Sequence, residues 1–233
     1  MVLTSLSVFF PAYNEEGRIA MTVEHALKTI PRIAKKWEVL LIDDGSSDST
    51  GKIIDKLAKN KNVRAIHHMI NRGYGGAFKS GLYGAKYSWI AFTDSDGQFD
   101  FSEIKNFIKK QKESNADIVI GYYKKRQVGK VKIITSKMWE YLVFILFGLK
   151  VRDIDCGFKL ISKKVVDGIP DLESERGAFI SSEFLIKAKK KRFKIVEIPV
   201  THYPREVGVG TGRNLKVIVG SFKDLFRLWV KLQ

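Results

Sequence analysis

Short apolar runs recur along the chain, and each closes in a polar, mostly glycine-containing cluster. Leu6, Val8, Phe9 and Phe10 predict a first strand over residues 6–10. A turn at Pro11 to Gly17 then leads into a helix ending near Thr29. Val39-Leu40-Leu41-Ile42 is continuously apolar, the pattern of a strand buried on both faces of a parallel sheet. It ends in Asp43-Asp44-Gly45-Ser46-Ser47-Asp48, and a helix is expected from Ser49 or Thr50 with Ile53, Ile54, Leu57 and Ala58 inward. Val63 to His67 predicts a strand, Gly73 to Gly84 a helix of small residues, and Trp89 to Thr93 the next strand. Ile104, Phe107 and Ile108 give helical spacing between Phe101 and Lys112, and Ile118-Val119-Ile120 is a strand ending at Gly121.

This alternation implies an α/β fold, a mostly parallel sheet flanked by helices. In such sheets ligands collect beyond the carboxyl ends of the strands. The clusters at 11–16, 43–48, 71–73 and 94–98 are therefore expected on one edge. No internal repeat or low-complexity linker interrupts the pattern. One domain is expected over residues 1–212, followed by a C-terminal helix over 213–233. There Ile218, Phe222, Leu225, Phe226, Trp229 and Leu232 share a face, and Lys223, Arg227 and Lys231 line another. Basic residues and Trp on an amphipathic helix suit an anionic bilayer interface.

Charge adds an anionic partner to this picture. Lys and Arg number 41 against 25 Asp and Glu, a formal net charge of +16. The basic residues are scattered, with no recognition helix or RNA-binding signature, so nucleic acid is not the expected partner. The single cysteine, Cys156, allows no intrachain disulfide. No signal peptide is visible, and the longest apolar stretch, Met138 to Leu149, is interrupted by Glu140 and too short for a bilayer, which needs about 20 residues. A cytoplasmic protein, peripheral at the cytoplasmic face of a membrane, is the expectation.

The chemistry centres on Asp94-Ser95-Asp96-Gly97-Gln98, directly after the strand Trp89 to Thr93. Two carboxylates one residue apart at a strand end can reach one hard cation, with the Gln98 amide oxygen as a third ligand. Mg²⁺ or Mn²⁺ prefers such oxygens and keeps open positions for a diphosphate. Asp94, Asp96 and Gln98 are the candidate metal ligands.

Six segments in order then carry a resemblance: Pro11 to Glu15, Asp43 to Thr50, Asn71 to Gly73 with Gly75-Gly76-Ala77, Asp94 to Gln98, Asp153 to Lys159, and His202 to Arg205. With them the chain resembles the inverting family 2 glycosyltransferases of the GT-A fold. The likeness is greatest to those that move a sugar from a nucleotide to a polyprenyl phosphate, of the dolichol-phosphate mannose synthase type. The resemblance implies a GDP- or UDP-sugar donor bound by Pro11, Tyr13, Asn14, Glu15, Asp43, Asp44, Arg72, Gly73 and Asp94. It implies Asp96, Asp153, Asp155 and Glu183 as catalytic candidates. A basic loop, Tyr122 to Lys137, would meet the lipid phosphate through Arg126, Lys132 and Ser136, joined by Arg205. Lys132 stands where the family carries Arg, which loses bidentate geometry. Gly210-Thr211 replaces the family's Ser-Lys pair beyond Arg205.

Many relatives continue into transmembrane helices. This chain stops, so it is expected to work at the membrane surface, with room for a separate membrane-protein partner. A transferase acting on a saccharide hydroxyl is the alternative, and it would need a true base among Asp153, Asp155 and Glu183. A non-catalytic nucleic-acid-binding protein is a remoter one.

Overall fold

A computed structural model describes residues 2–124, 130–175, 177, 179–204 and 215–232, the side chains of 130–132 and 215–219 excepted. The expected alternation is present: β1 (Leu3–Ala12), α1 (Ile19–Thr29), β2 (Ala34–Asp43), α2 (Thr50–Leu57), β3 (Val63–His67), α3 (Tyr74–Gly84), β4 (Trp89–Thr93), α4 (Ile104–Ser114) and β5 (Ile118–Tyr123). Then come α5 (Lys130–Phe147), β6 (Phe158–Ser162), α6 (Lys163–Gly168), α7 (Phe179–Lys190), β7 (Ile195–Val200) and α8 (Leu215–Lys231). The strands form one sheet in the order β3-β2-β1-β4-β6-β5-β7. β6 runs antiparallel between β4 and β5, and the other pairings are parallel.

Both faces of the sheet are covered. Leu6, Val8 and Phe10 of β1 pack toward α1, α2 and α4, while Phe9 faces α3 and α7. Phe9, Phe78 and Phe92 meet with ring centroids 5.0–5.5 Å apart. The small residues of α3 let that helix sit close: a Cβ at Gly81 would lie 2.2 Å from the Phe9 ring. The continuous apolar runs of β1, β2 and β4 follow from this double coverage.

Two expectations change. The segment Tyr122 to Lys137 is not one basic loop: Lys132 and Ser136 lie on α5, whose first turns are lysine-rich and free of Gly and Pro. Lys is a good helix former, so charge does not mark a loop. The apolar positions of α8 also divide. Leu225 and Leu228 are buried against the body, while Phe222, Phe226 and Val230 are exposed.

Candidate active site

The sheet order reverses between β1 and β4, and the carboxyl ends of these two strands form the crevice where such sheets bind ligands. The segment after β1 and the segment after β2 are zipped together. Thr50 Oγ1 accepts the Glu15 N–H at 2.8 Å, and Asn14 Oδ1 accepts the Ser47 N–H at 2.9 Å. Asn14 takes a left-handed φ of 55°, which Asn tolerates better than most residues. Tyr13 is exposed beside it.

The paired acids after β2 are engaged within the protein. Asp43 Oδ1 accepts the Ser46 N–H at 3.0 Å, and Oδ2 lies 3.0 Å from His67 Nδ1. Burial pushes the Asp43 carboxyl up, but the bonds from Ser46 and His67 outweigh it and hold the group below its ordinary value. Asp44 takes the N–H groups of Arg72 and Gly73 at 2.9 and 2.8 Å, and His68 Nδ1 at 2.6 Å. Asp44 thus shapes the loop Asn71–Gly73, where Gly73 adopts φ 82° and starts α3. A side chain there would strain the backbone.

After β4, Ser95 turns inward and donates to Pro11 O at 2.7 Å, and its own carbonyl accepts Thr22 Oγ1 at 3.2 Å. This anchors the turn with Asp94 and Asp96 on either side. Asp96 Oδ1 accepts the Gln98 N–H at 3.0 Å. Gln98 clamps the segment before Arg205: its carbonyl accepts the Tyr203 N–H and its Nε2 donates to Tyr203 O, both at 2.9 Å. That bond uses the nitrogen end of the amide and leaves Oε1 as the end a cation would use.

Asp94 accepts the Tyr74 hydroxyl at 3.2 Å and lies against the backbone of Gly157, where a Cβ would fall 2.0 Å from Oδ2. Burial first, then the Asp96 charge, push its carboxyl up to about 7. Lys159 is fully buried on β6, donates to Cys156 O at 2.5 Å, and is within electrostatic reach of Asp94, Asp153 and Asp155. Asp153 is buried and Asp155 is exposed. Two acids set at a strand end, with the charge on Asp94 disfavoured by burial and by its neighbour, fit a Mg²⁺ or Mn²⁺ ion that would neutralise them. Among the described residues no three His, Cys, Asp or Glu side chains close a complete protein cage, so remaining positions would fall to Gln98, water and substrate.

Glu183 is engaged in bonds of its own on α7. Its carboxylate is buried on α7, paired with Lys187 Nζ at 2.6 Å, and takes the N–H groups of Glu173 and Ser174 at 2.8 and 2.9 Å. Although burial raises its carboxyl, these bonds hold it below the ordinary value, which suits a loop anchor and not a base. Ser136 Oγ bonds Glu140 one turn along α5 at 3.4 Å. Arg126, Arg205 and the Lys132 side chain lie outside the described residues. Gly157 falls inside the Asp153–Lys159 segment with no role of its own there, and His67, His68 and Tyr74 carry no site role in the sequence pattern. For His67 and His68 the signal is the parallel register that pairs Asp43 with His67.

A family model, "Glycosyl transferase family 2", matches residues 7–169. The chain belongs to this family. A dolichyl-phosphate beta-glucosyltransferase of Saccharomyces cerevisiae is 32% identical over 223 residues, covering 84% of this chain and 66% of the relative. A dodecaprenyl-phosphate galacturonate synthase of Rhizobium johnstonii is 28% identical over 227 residues, covering 95% of this chain and 66% of the relative. The chain thus spans slightly under two thirds of the length of these curated relatives. Glucosyl-3-phosphoglycerate synthase from Mycobacterium tuberculosis, solved with Mn²⁺, UDP and glucosyl-3-phosphoglycerate, shares the fold at a TM-score of 0.72 and 16% identity. That alignment covers 98% of this chain and 80% of the other.

Proposed function

We propose that the chain transfers a hexose from a nucleotide-sugar to a polyprenyl phosphate with inversion, using Mg²⁺ or Mn²⁺ held by Asp94, Asp96 and Gln98. The observation that carries this is the Asp94–Asp96 pair after β4, set beside the zipped loops of β1 and β2 and the glycine-rich start of α3. The names of the relatives favour glucose over mannose, and the nucleotide of the structural neighbour favours UDP over GDP.

Tyr13, Asn14 and Glu15 would line the nucleoside, with Asp43 and Asp44 holding the loops around it. Arg72 and the backbone at Gly73 would meet the diphosphate. When bound, the divalent ion would supply Lewis-acid stabilisation of charge on the leaving diphosphate. A phosphate acceptor is already largely ionised near neutral pH, its second pKa being about 6, so the site needs no strong base. Asp153 and Asp155 would orient the acceptor on the face opposite the diphosphate, and that approach gives inversion. Arg126, Lys132 and Arg205 would hold its phosphate. Positioning and electrostatics do the catalysis.

A lipid acceptor requires access to a membrane surface. No helix of the described residues is long and apolar enough to cross one. α5 exposes Ile134, Met138, Tyr141 and Ile145 along one stripe, and α8 exposes Phe222, Phe226 and Val230. Trp139 of α5 packs on Phe222 of α8 with centroids 5.3 Å apart, so the two helices adjoin. This face would rest on an anionic bilayer at the cytoplasmic side.

The test is incubation with Mg²⁺ or Mn²⁺, labelled UDP- and GDP-sugars, and dolichyl or undecaprenyl phosphate. Label should enter the organic phase. Label confined to water-soluble saccharide, or no transfer from any donor, would overturn the reading.

A further inference from the structure

The segment Asp171 to Glu175 lies between α6 and α7 and crosses the first turn of α3. Glu175 O accepts the Gly76 N–H at 2.9 Å, and a Cβ at Gly75 would sit 2.6 Å from that same oxygen. From this tight backbone contact the Glu175 side chain reaches two cations. Arg72 Nη2 donates to Oε1 at 2.8 Å and Lys79 Nζ at 3.1 Å. The bond from Arg72, then that from Lys79, hold the Glu175 carboxyl below the ordinary range.

The segment is itself framed by buried charge. Glu183 takes the Glu173 and Ser174 N–H groups, and Lys187 donates to Asp171 O at 2.5 Å while pairing with Glu183. Both side chains of that pair are 2% exposed. Burying an ion pair is a poor route to stability. Here three backbone groups converge on it, and their effect is to fix one stretch of backbone beside α3.

We propose that Glu175 is a positioning residue for the sugar donor: it holds the Arg72 guanidinium at the start of α3, and the Glu183–Lys187 pair holds Glu175. This deepens the proposed function and rests on its placement of Arg72 at the donor diphosphate. A guanidinium has five N–H donors in a fixed fork. The Glu175 bond engages Nη2 and orients the fork before a phosphate arrives, and pre-orientation raises affinity.

The test is calorimetric titration of UDP, and in parallel GDP, into the full chain with Mn²⁺. Wild type, Glu175→Gln, Arg72→Ala and the double variant are compared. Glu175→Gln keeps the side-chain shape at a half-exposed position, and its melting temperature should stay close to that of wild type. Its nucleotide affinity should fall about three- to five-fold, the scale of one exposed ion pair. In the Arg72→Ala background the same substitution should cost nothing further. Unchanged or tighter binding by Glu175→Gln, or full additivity in the double variant, would overturn the inference alone. A wild-type chain that binds neither nucleotide would overturn the reading of the donor site, and this inference with it.

Discussion

Asp44 Oδ1 lies 2.6 Å from His68 Nδ1, and His68 Nε2 lies 2.9 Å from Ser80 Oγ on α3. The pairing follows from the sheet: β2 and β3 are parallel and end with Asp43 opposite His67, so the first residues beyond the two strands also meet. The carboxylate also gathers the Arg72 and Gly73 amides. One acid thus links the end of β2, the end of β3 and the first turn of α3.

Asp44→Asn should therefore disturb both stability and the donor site. It removes a buried charge that accepts three bonds and leaves donors short of a partner. A loss of about 1–3 kcal/mol is expected for such groups, read by urea unfolding. Nucleotide affinity should fall with it, because the Asn71–Gly73 loop loses its anchor.

The neighbouring pair gives a pH dependence. His67 is raised above its ordinary 6.5, first through its bond to Asp43, and Asp43 is held below its ordinary value. A raised imidazole stabilises the fold fully below 6.5, and that contribution disappears as pH rises through the folded value. A lowered carboxylate stabilises above its ordinary value and loses that as pH falls. The pair is thus fully in force between about pH 4 and 6.5. The His67 side chain is 40% exposed, so the effect on unfolding stays under about 1 kcal/mol. An NMR titration should show His67 above 6.5 and returning toward it in Asp43→Asn. An unshifted His67 would contradict the pairing.

Gly157→Ala should damage activity more than folding. Its Cβ would fall 2.0 Å from Asp94 Oδ2, so the carboxylate must move. A displacement of about 1 Å at a reacting group can cost about a hundred-fold in rate. Steady-state kinetics beside a thermal melt would separate the two effects. A fully active Gly157→Ala chain would show that the placement of Asp94 does not matter.

The paired stripes on α5 and α8 predict vesicle binding. Phe222→Asp with Phe226→Asp should lower partitioning onto anionic vesicles by at least about ten-fold, since each buried Phe contributes about 1.5–3 kcal/mol. Both side chains are exposed, but Phe222 also touches Trp139, so a thermal melt read beside the vesicle assay checks that the fold persists. Equal sedimentation of variant and wild type with vesicles would remove the membrane face.

The sheet was largely legible because Val39 to Ile42 of β2 and Trp89 to Thr93 of β4 are apolar runs closed by turn formers. The acidic turn was legible for the same reason, since it sits where β4 ends. β6 was not, because Lys159 interrupts its apolar pattern while being wholly buried. Glu183 reads as a polar helix position, and only its fixed bonds to Glu173 and Ser174 reveal it as a loop anchor. The histidine partners of Asp43 and Asp44 depend on strand register, a long-range property that no local pattern carries.

Mn²⁺-dependent binding of UDP, or of GDP in its place, to wild type and to Asp96→Ala tests the metal site most directly. Wild type should bind the nucleotide with Mn²⁺ and lose it on chelation, and Asp96→Ala should show no gain from the ion. An Asp96→Ala chain that binds the metal–nucleotide pair as tightly as wild type would contradict the placement of the ion between these acids.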